Sequence, residues 1–240
     1  MSAPLPRYAA IRRDLETAIL SGRWAPGDKI PSEHELVARY GCARMTVNKA
    51  LSELVAAGLI VRHRRAGSFV ATPSREESIL EIHDIEAEAN RDGKSYRFEL
   101  MRRVLRMATA DDAERLGVPA TTSILALDSI HHVAGTPYAT EDRLINVSSV
   151  PAACDVDFSA TSAGSWLLAQ MPWTRARHRI SAVNVKASQA HALRIAPGTA
   201  CLAVERATWL QNRPITHVRL VYPGERHHLL AHFSPSNQGR

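Results

Sequence analysis

Cysteine is scarce in this chain: three residues in 240, Cys42, Cys154 and Cys201, with no CxxC pair. That excludes a disulfide framework and a cysteine zinc site. Aromatic residues make up only 5%. No apolar run approaches the roughly 18–20 residues a spanning helix needs, and the opening MSAPLPRYAAIRRDLE lacks the basic-then-apolar order of a signal peptide. The expected compartment is therefore the cytoplasm. No Ser/His/Asp order, paired-carboxylate motif or phosphate loop stands out, so neither catalytic residues nor a cofactor are expected. The nine histidines beyond residue 74, His227, His228 and His232 among them, read as structural or solvated side chains rather than metal ligands. Cys42 reads as a small packing residue rather than a redox switch. What remains is an ordinary folded composition, 45% hydrophobic and 22% charged, at a length that suits two domains.

The net charge of +6 is unevenly placed. Residues 1–73 hold 11 Lys and Arg against 6 Asp and Glu, while the remainder holds 19 against 18. A basic first third is the footprint expected of a surface that meets phosphate backbones. Tyr8, Ile11, Leu15 and Ile19 recur at helical spacing, predicting a helix over 7–21. Pro31-Ser32-Glu33-His34-Glu35-Leu36 follows, where Ser32 can cap the amide three residues on and Glu35 can reach back. That short helix ends at Tyr40-Gly41. A third helix places Val47, Ala50, Leu51, Leu54 and Val55 on one face and Arg44, Met45, Asn48, Lys49 and Ser52 on the other, ending at Gly58. Residues 59–70 then read as a hairpin with a basic tip.

Residues 71–78 lose apolar periodicity and read as a linker. Beyond it the pattern predicts a helix over 79–92 (Ile79, Ile82, Ile85, Ala89), a strand near 96–106 and a helix at 109–116 capped by Thr109. A hairpin follows over 122–146, turning at Gly135-Thr136-Pro137. Next come a helix near 162–171, a strand near 176–186, a helix at 188–195 capped by Ser188, a hairpin over 200–222 turning at Gln211-Asn212-Arg213-Pro214, and a strand near 228–233. Residues 108–146 and 187–223 share the order small helix, turn, strand, turn with Pro, strand. If this is a repeat, it implies a pseudo-symmetric, mostly antiparallel sheet with a pocket between its halves.

A capped short helix, a glycine turn and a second helix with a polar start make a helix-turn-helix, and the basic hairpin behind it makes a wing. Such a second helix fits the major groove, while wing arginines meet flanking phosphates. Arg44, Thr46, Asn48 and Lys49 suit the first role; Arg62, Arg64 and Arg65 suit the second. Ser32, Glu33, Met45 and Gly67 complete the candidate DNA-binding set.

The run from Tyr8 through Ser21-Gly22-Arg23-Trp24-Ala25-Pro26-Gly27-Asp28-Lys29-Ile30-Pro31-Ser32-Glu33, with Arg44-Met45-Thr46-Val47, Gly58-Leu59-Ile60 and Gly67-Ser68-Phe69-Val70, resembles the winged-helix domain of GntR-type regulators. The later part, with Glu141-Asp142-Arg143, Pro172-Trp173-Thr174, His178-Arg179-Ile180 and the stretch Ile215 to Gly224, resembles the UTRA effector domain of that family's HutC branch, related in fold to chorismate lyase. The resemblance implies an α+β chain: a winged helix-turn-helix at 5–72, a linker at 73–78 and a UTRA-type effector and dimerisation domain at 79–235. It also implies a homodimeric repressor on a pseudo-palindromic operator in double-stranded DNA. An enzyme of the chorismate lyase type is the alternative the fold kinship raises, and a DNA-architectural protein without ligand is another.

This chain departs from the family pattern where specificity is set. Ala43 and Asn48 replace the usual Ser and Arg of the recognition helix, and Arg65-Ala66-Gly67-Ser68 replaces the wing's usual Gly-x-Gly-Thr. Phosphosugar-sensing relatives resemble Arg-x-Arg ahead of the Gly-x-Pro turn; Ser129-Ile130-His131 stands here, which disfavours a phosphorylated ligand. Glu141 lies ten residues after His131, and an odd-length loop would make the two cross-strand neighbours. Such a pair suits an imidazole, and Arg143, Arg177 or Arg206 suits a carboxylate. Urocanate carries both groups and is the expected effector, another non-phosphorylated metabolite being the alternative. Tyr96, Arg97, Thr216 and the family-matched Tyr222 complete the candidate effector-binding residues.

Overall fold

The computed structural model describes residues 6–64, 66–72 and 84–228. Arg65, the linker at 73–78, the start of the helix expected from 79 with Ile79 and Ile82, and the strand expected near 228–233 beyond His228 lie outside these residues.

The first helix, α1 (Arg7–Leu20), turns Ile11, Leu15, Ala18, Ile19 and Leu20 inward. In α2 (Glu33–Tyr40) the capping box forms in full: Ser32 Oγ accepts from the Glu35 amide and the Glu35 carboxylate accepts from the Ser32 amide. Gly41, at φ 56°, closes it. Helix α3 (Arg44–Ala56) buries Val47, Ala50, Leu51 and Leu54, and the antiparallel pair β1 (Ile60–His63) and β2 (Gly67–Val70) forms the wing. The inward faces expected of α1 and α3 are thus the observed ones, Val55 excepted, which stays exposed.

The second part is one six-stranded antiparallel sheet. Its strands are β3 (Tyr96–Met107), β4 (Ser123–Val133), β5 (Thr136–Asn146), β6 (Arg175–Asn184), β7 (Ala200–Leu210) and β8 (Arg213–Pro223), in the order β3-β4-β5-β8-β7-β6. Helices α4 (Ile85–Arg91), α5 (Ala110–Leu116), α6 (Ala163–Gln170) and α7 (Ala187–Leu193) and a 3-10 turn at Pro151–Cys154 are interspersed. The order strand, helix, hairpin occurs twice, as β3-α5-β4-β5 and β6-α7-β7-β8, and the two units meet at β5 and β8. Each unit's helix crosses to the other, α5 packing on β8 and α7 on β5. The weak internal similarity therefore has a structural counterpart.

Local expectations need four corrections. The first hairpin turns at Ala134-Gly135, both left-handed (φ 50° and 76°), and Pro137 stands in β5 opposite a bulge at His131/His132. A two-residue turn with both φ positive matches strand twist, and the bulge accommodates the missing proline donor. The second hairpin also turns in two residues, Gln211-Asn212, of which Gln211 alone is left-handed (φ 53°), and Pro214 pairs with Trp209 at a register shift between Thr208 and Trp209. Ser188 does not cap its helix: α7 begins at Ala187 with Lys186 before it and no side-chain cap, so Ser188 falls inside the first turn. Finally, α4 begins at Ile85, where the Asp84 carboxylate accepts from the Glu86 and Ala87 amides.

The two parts share a contact. The β7–β8 turn reaches the helical part through Gln211 Nε2, which donates to the Ala56 carbonyl at 2.9 Å, and Arg213, whose Nη1 lies 2.6 Å from Glu16 Oε1. Buried Ile19, Leu51 and Leu54 belong to the same apolar cluster as Leu125, Phe158, Met171 and Leu210.

Candidate functional site

The exposed start of α3 and the wing are joined by one carboxylate. Glu33, at the start of α2, accepts from Arg44 Nε at 3.0 Å and lies 3.6 Å from Arg62 Nη2. The Arg44 side chain remains 81% exposed, so its guanidinium is oriented without being sequestered. Met45 is also exposed and Thr46 half-buried beside it. Asn48 accepts from Ser52 one turn on, and Arg64 and Gly67 sit at the exposed wing tip. Two candidates are otherwise engaged: Ser32 Oγ is committed to the α2 cap, and Lys49 Nζ sits 3.8 Å from the Tyr8 ring centroid, tethered to α1 by a cation–π contact. Since Glu33 screens both arginines, Arg44→Ala is expected to cost about 1–3 kcal/mol of specific DNA binding if Arg44 reads a base edge. Equal operator affinity of variant and wild type in a fluorescence-anisotropy titration at fixed salt would remove Arg44 from the readout.

A cavity lies between the sheet and α6, over the seam where the two repeat units meet. It has two adjoining lobes of about 320 and 290 Å³, mouths included. Arg143 from β5, Arg206 from β7, and Gly164 and Leu168 from α6 border both lobes. One lobe is largely apolar, completed by Met171, Trp173 and Ile215 with Thr208 and Thr216. The other is polar, with Asp84, Tyr96, His131, Glu141, Ser162 and Ser165. Gly164 permits this closeness, because a Cβ there would stand 3.2 Å from Arg143 Nη2.

Charge inside the cavity is distributed unequally. Arg143 forks onto Glu141, Nε to Oε1 at 2.6 Å and Nη2 to Oε2 at 3.1 Å, and His131 Nε2 lies 3.2 Å from the same Oε2. Burial pushes the Glu141 carboxyl up, but the Arg143 charge and the His131 and Arg143 hydrogen bonds outweigh it and hold the group well below the usual carboxylate range. His131 Nδ1 meets Tyr96 Oη at 2.9 Å, so both ring nitrogens are engaged. Arg206 is different. It is 7% exposed and makes no side-chain hydrogen bond or ion pair among the described residues. Burial and then the charge of Arg143 pull its pKa down to about 10. An anion arriving at Arg206 would supply the partner that the fold withholds.

The structure therefore brings together six of the nine expected effector residues: Tyr96, His131, Glu141, Arg143, Arg206 and Thr216. Three stand elsewhere. Arg97 is exposed beside Glu99, Arg177 is exposed at the sheet edge over the Trp209 ring, and Tyr222 is buried against Tyr138 and stacked on His227 at 3.9 Å. The expected register also shifts: the bulge pairs His131 with Ala139 and Glu141 with Ser129, so the His/Glu pair meets diagonally on one face. Glu141 spends three of its roughly four acceptor sites on Arg143 and His131, which leaves one on Oε1 for a ligand. Trp173, Ser162, Ser165 and Asp84 were missed. For Trp173 the signal was present in Pro172-Trp173-Thr174, a matched motif without an assigned role; Asp84 fell inside the helix expected over 79–92 and the serines inside that expected near 162–171, whereas Asp84 and Ser162 are the N-caps of α4 and α6.

Comparison with known proteins decides the family. The model for bacterial regulatory proteins of the gntR family matches residues 7–70, and that for the UTRA domain matches residues 91–228. The chain belongs to the GntR family, with a UTRA domain. It is 36% identical over 234 residues to the histidine utilization repressor of Klebsiella aerogenes, covering 97% of this chain and 96% of the relative. With the histidine utilization repressor of Pseudomonas aeruginosa PAO1 it shares 32% over 231 residues, 96% and 92% of the two chains. The crystal structure of the C-terminal domain of histidine utilization repressor from Pseudomonas syringae pv. tomato DC3000 superimposes with a TM-score of 0.55 at 26% identity, covering 58% of this chain and all but 1% of that one. This GntR–UTRA protein is thus of the HutC branch, a DNA-binding transcriptional repressor and not an enzyme. Repressors of this family bind operator DNA and small-molecule effectors. No helix among the described residues is long and apolar enough to cross a membrane.

Proposed function

We propose that this GntR–UTRA protein represses a histidine-utilisation operon as a homodimer on a pseudo-palindromic operator, and that urocanate releases it. The observation that carries the effector assignment is Arg206, a buried guanidinium without a partner on the wall of a cavity. The neighbouring Arg143 is paired with Glu141, and Arg206 is the cation of the site left without a hydrogen-bonded or ion-paired partner among the described residues. A monocarboxylate can pair it; a phosphate dianion would bring a second negative charge into a lobe that already holds Glu141 and Asp84. The apolar lobe lined by Trp173 and Leu167 suits a conjugated ring system, and Asp84, Ser162 and Ser165 in the polar lobe can hydrogen-bond ring nitrogens. Relatives named for histidine utilization supply the same chemistry from a separate direction.

The dimer has support in the sheet. Among the described residues β3 and β6 have one unpaired edge each. Both edge strands carry exposed charges, Arg175, Arg177 and Arg179 on β6 and Arg97, Glu99, Arg102 and Arg103 on β3, but β3 alone also exposes large apolar side chains, Met101, Leu105 and Met107 at 54–57%. Two winged helices carried on one dimer would read two half-sites about one helical turn apart.

The deciding experiment is a gel-shift titration of the full chain on the DNA upstream of its own coding sequence, at fixed salt, with and without urocanate. Urocanate should weaken the complex, and by reciprocity the operator should weaken urocanate binding by the same factor. Tight operator binding that urocanate leaves unmoved would overturn the effector; release by histidine or a phosphosugar instead would reassign it.

A further inference from the structure

One short segment of this chain touches both the effector cavity and the DNA-binding part. The segment Met171 to Thr174 joins the end of α6 to β6, leaving the helix at Met171, which is extended (φ −116°, ψ 122°), and bending at Thr174. Met171 and Trp173 line the apolar lobe. Thr174, the next residue, lies on the other side: a Cβ built on Gly58, just past α3, would stand 2.5 Å from Thr174 Cγ2. Thr174 Oγ1 accepts from the Gln211 amide at 2.5 Å, and Gln211 in turn donates through Nε2 to the Ala56 carbonyl at the end of the same helix. The recognition helix is therefore seated on a residue adjacent in sequence to a cavity wall.

The cavity wall itself has an unmet demand. The Trp173 indole Nε1–H is buried and has no acceptor. A buried donor without an acceptor costs free energy comparable to a lost hydrogen bond. Trp173 shares its lobe with Arg206, which lacks an anion. Both orphans are donors, and both are satisfied by the same kind of group, a carboxylate with two oxygens.

We propose that Trp173 is the residue through which the site reads its ligand: its indole N–H donates to the effector carboxylate held by Arg206, and the resulting shift of residues 171–174 alters the seating of Thr174 and Gln211 against Gly58 and Ala56. The proposal rests on the carboxylate-effector reading above and adds the transmitting residues. It makes Trp173 a ligand-reading residue and Thr174 a positioning residue that touches no ligand. Linkage gives a signature independent of which way the domains move. A substitution that shifts a two-state equilibrium between a DNA-favoured and an effector-favoured arrangement must change the two affinities in opposite senses.

Three measurements on the full chain test this. The first is heteronuclear NMR of the wild type with labelled indole nitrogens, titrated with urocanate. The chain has four tryptophans, so Trp173→Phe assigns the Trp173 signal by its disappearance. The Trp173 N–H resonance should move downfield and its solvent exchange should slow; an unmoved resonance at saturating urocanate overturns the proposal. Second, calorimetry on Trp173→Phe, which keeps the ring and removes the donor, should show urocanate bound about tenfold more weakly; unchanged affinity overturns it. Third, Thr174→Val keeps the shape and removes the hydroxyl acceptor. It should move operator affinity and urocanate affinity in opposite directions by threefold or more, and both unchanged, or both moved the same way, overturns the coupling. A wild type that binds no urocanate in the calorimeter instead defeats the effector identity, a separate failure. In that event the same three measurements run with the monocarboxylate that does release the operator decide the strap.

Discussion

Replacing Arg206 by methionine is expected to make the protein more stable and at the same time deaf to its effector. The guanidinium is buried with no hydrogen-bonded or ion-paired partner among the described residues, and burial, then the charge of Arg143, pull its pKa from 12.5 to about 10 against the attraction of Glu141 and Asp84. A displacement of that size corresponds to a cost of about 3 kcal/mol for keeping the group charged in the folded chain at neutral pH. The sign follows from which form the fold disfavours. Because the folded-state value lies below the unfolded one, the penalty is complete below about pH 10 and disappears as pH rises through 12.5. Methionine removes the charge and fills part of the space with an adaptable apolar chain. Allowing for an imperfect fit, a net gain of about 1–2 kcal/mol is expected, a rise in Tm of roughly 2–8 °C for a chain of this size. Differential scanning calorimetry without ligand checks it, and a fall in Tm would mean that Arg206 has a partner in the resting state. Effector binding should move the other way. Loss of charge-assisted hydrogen bonds of about 1.5–3 kcal/mol weakens a carboxylate ligand roughly 10- to 150-fold. At 100 times the wild-type Kd, urocanate should stabilise the wild type by about 2.7 kcal/mol and the variant by only about 0.3–1.4 kcal/mol. Full urocanate response in the variant would refute the assignment of Arg206.

That trade, stability held below its attainable value so that a ligand can supply the missing charge, was only partly visible in the sequence. Local features were legible where one residue type has one physical role. Ser32 and Glu35 form their capping box, Thr109 caps α5, and Ile11, Leu15, Val47, Leu51 and Leu54 point inward because helical spacing leaves them no alternative. The sheet's two-unit construction showed through a weak repeat, since the order of small helix and hairpin and the hairpin prolines Pro137 and Pro214 recur even when side chains, the helix cap among them, have diverged. The candidate pocket was legible to the extent that β-strand alternation puts His131, Glu141 and Arg143 on one face. Two things were not. Three arginines were equally eligible for the carboxylate, and which of them is left unpaired depends on tertiary placement: Glu141 claims Arg143, Trp209 and solvent claim Arg177, and Arg206 alone is buried without an anion. The cavity's other wall comes from α6 and the segment to Thr174, which begin 17 residues past the end of β5, and no periodicity links them. On the DNA side, Lys49 looked like an exposed contact on the helical wheel, and only the packing of α1 on α3 brings Tyr8 beneath it.

The second large effect lies at Glu141, where the same cavity chemistry predicts the opposite sign. Glutamine has the shape of glutamate but presents one oxygen and one amide nitrogen to a site that offers only donors, the Arg143 guanidinium and the His131 N–H. Glu141→Gln therefore turns an ion pair into a donor facing a donor and leaves Arg143 uncompensated beside an already uncompensated Arg206. Removing one partner of a buried pair costs about 3–5 kcal/mol, so Tm should drop by roughly 10 °C. The pH dependence identifies charge as the cause. The folded-state pKa of Glu141 lies below its ordinary 4.5, so its contribution is complete above that value and is lost as pH falls below it towards the folded-state pKa. The Tm gap between wild type and Glu141→Gln should consequently be widest near pH 7 and close progressively below pH 4.5. A gap that stays constant down to pH 3 would show that shape rather than charge is responsible. A double substitution separates the remaining explanations: Glu141→Leu with Arg143→Met removes both ions, and because an apolar pair of similar volume can replace a buried ion pair at little cost, it should recover most of the lost stability. If it does, the Glu141–Arg143 pair is retained for what it does to the cavity, fixing Arg143 and His131 in place so that Arg206 alone awaits an anion.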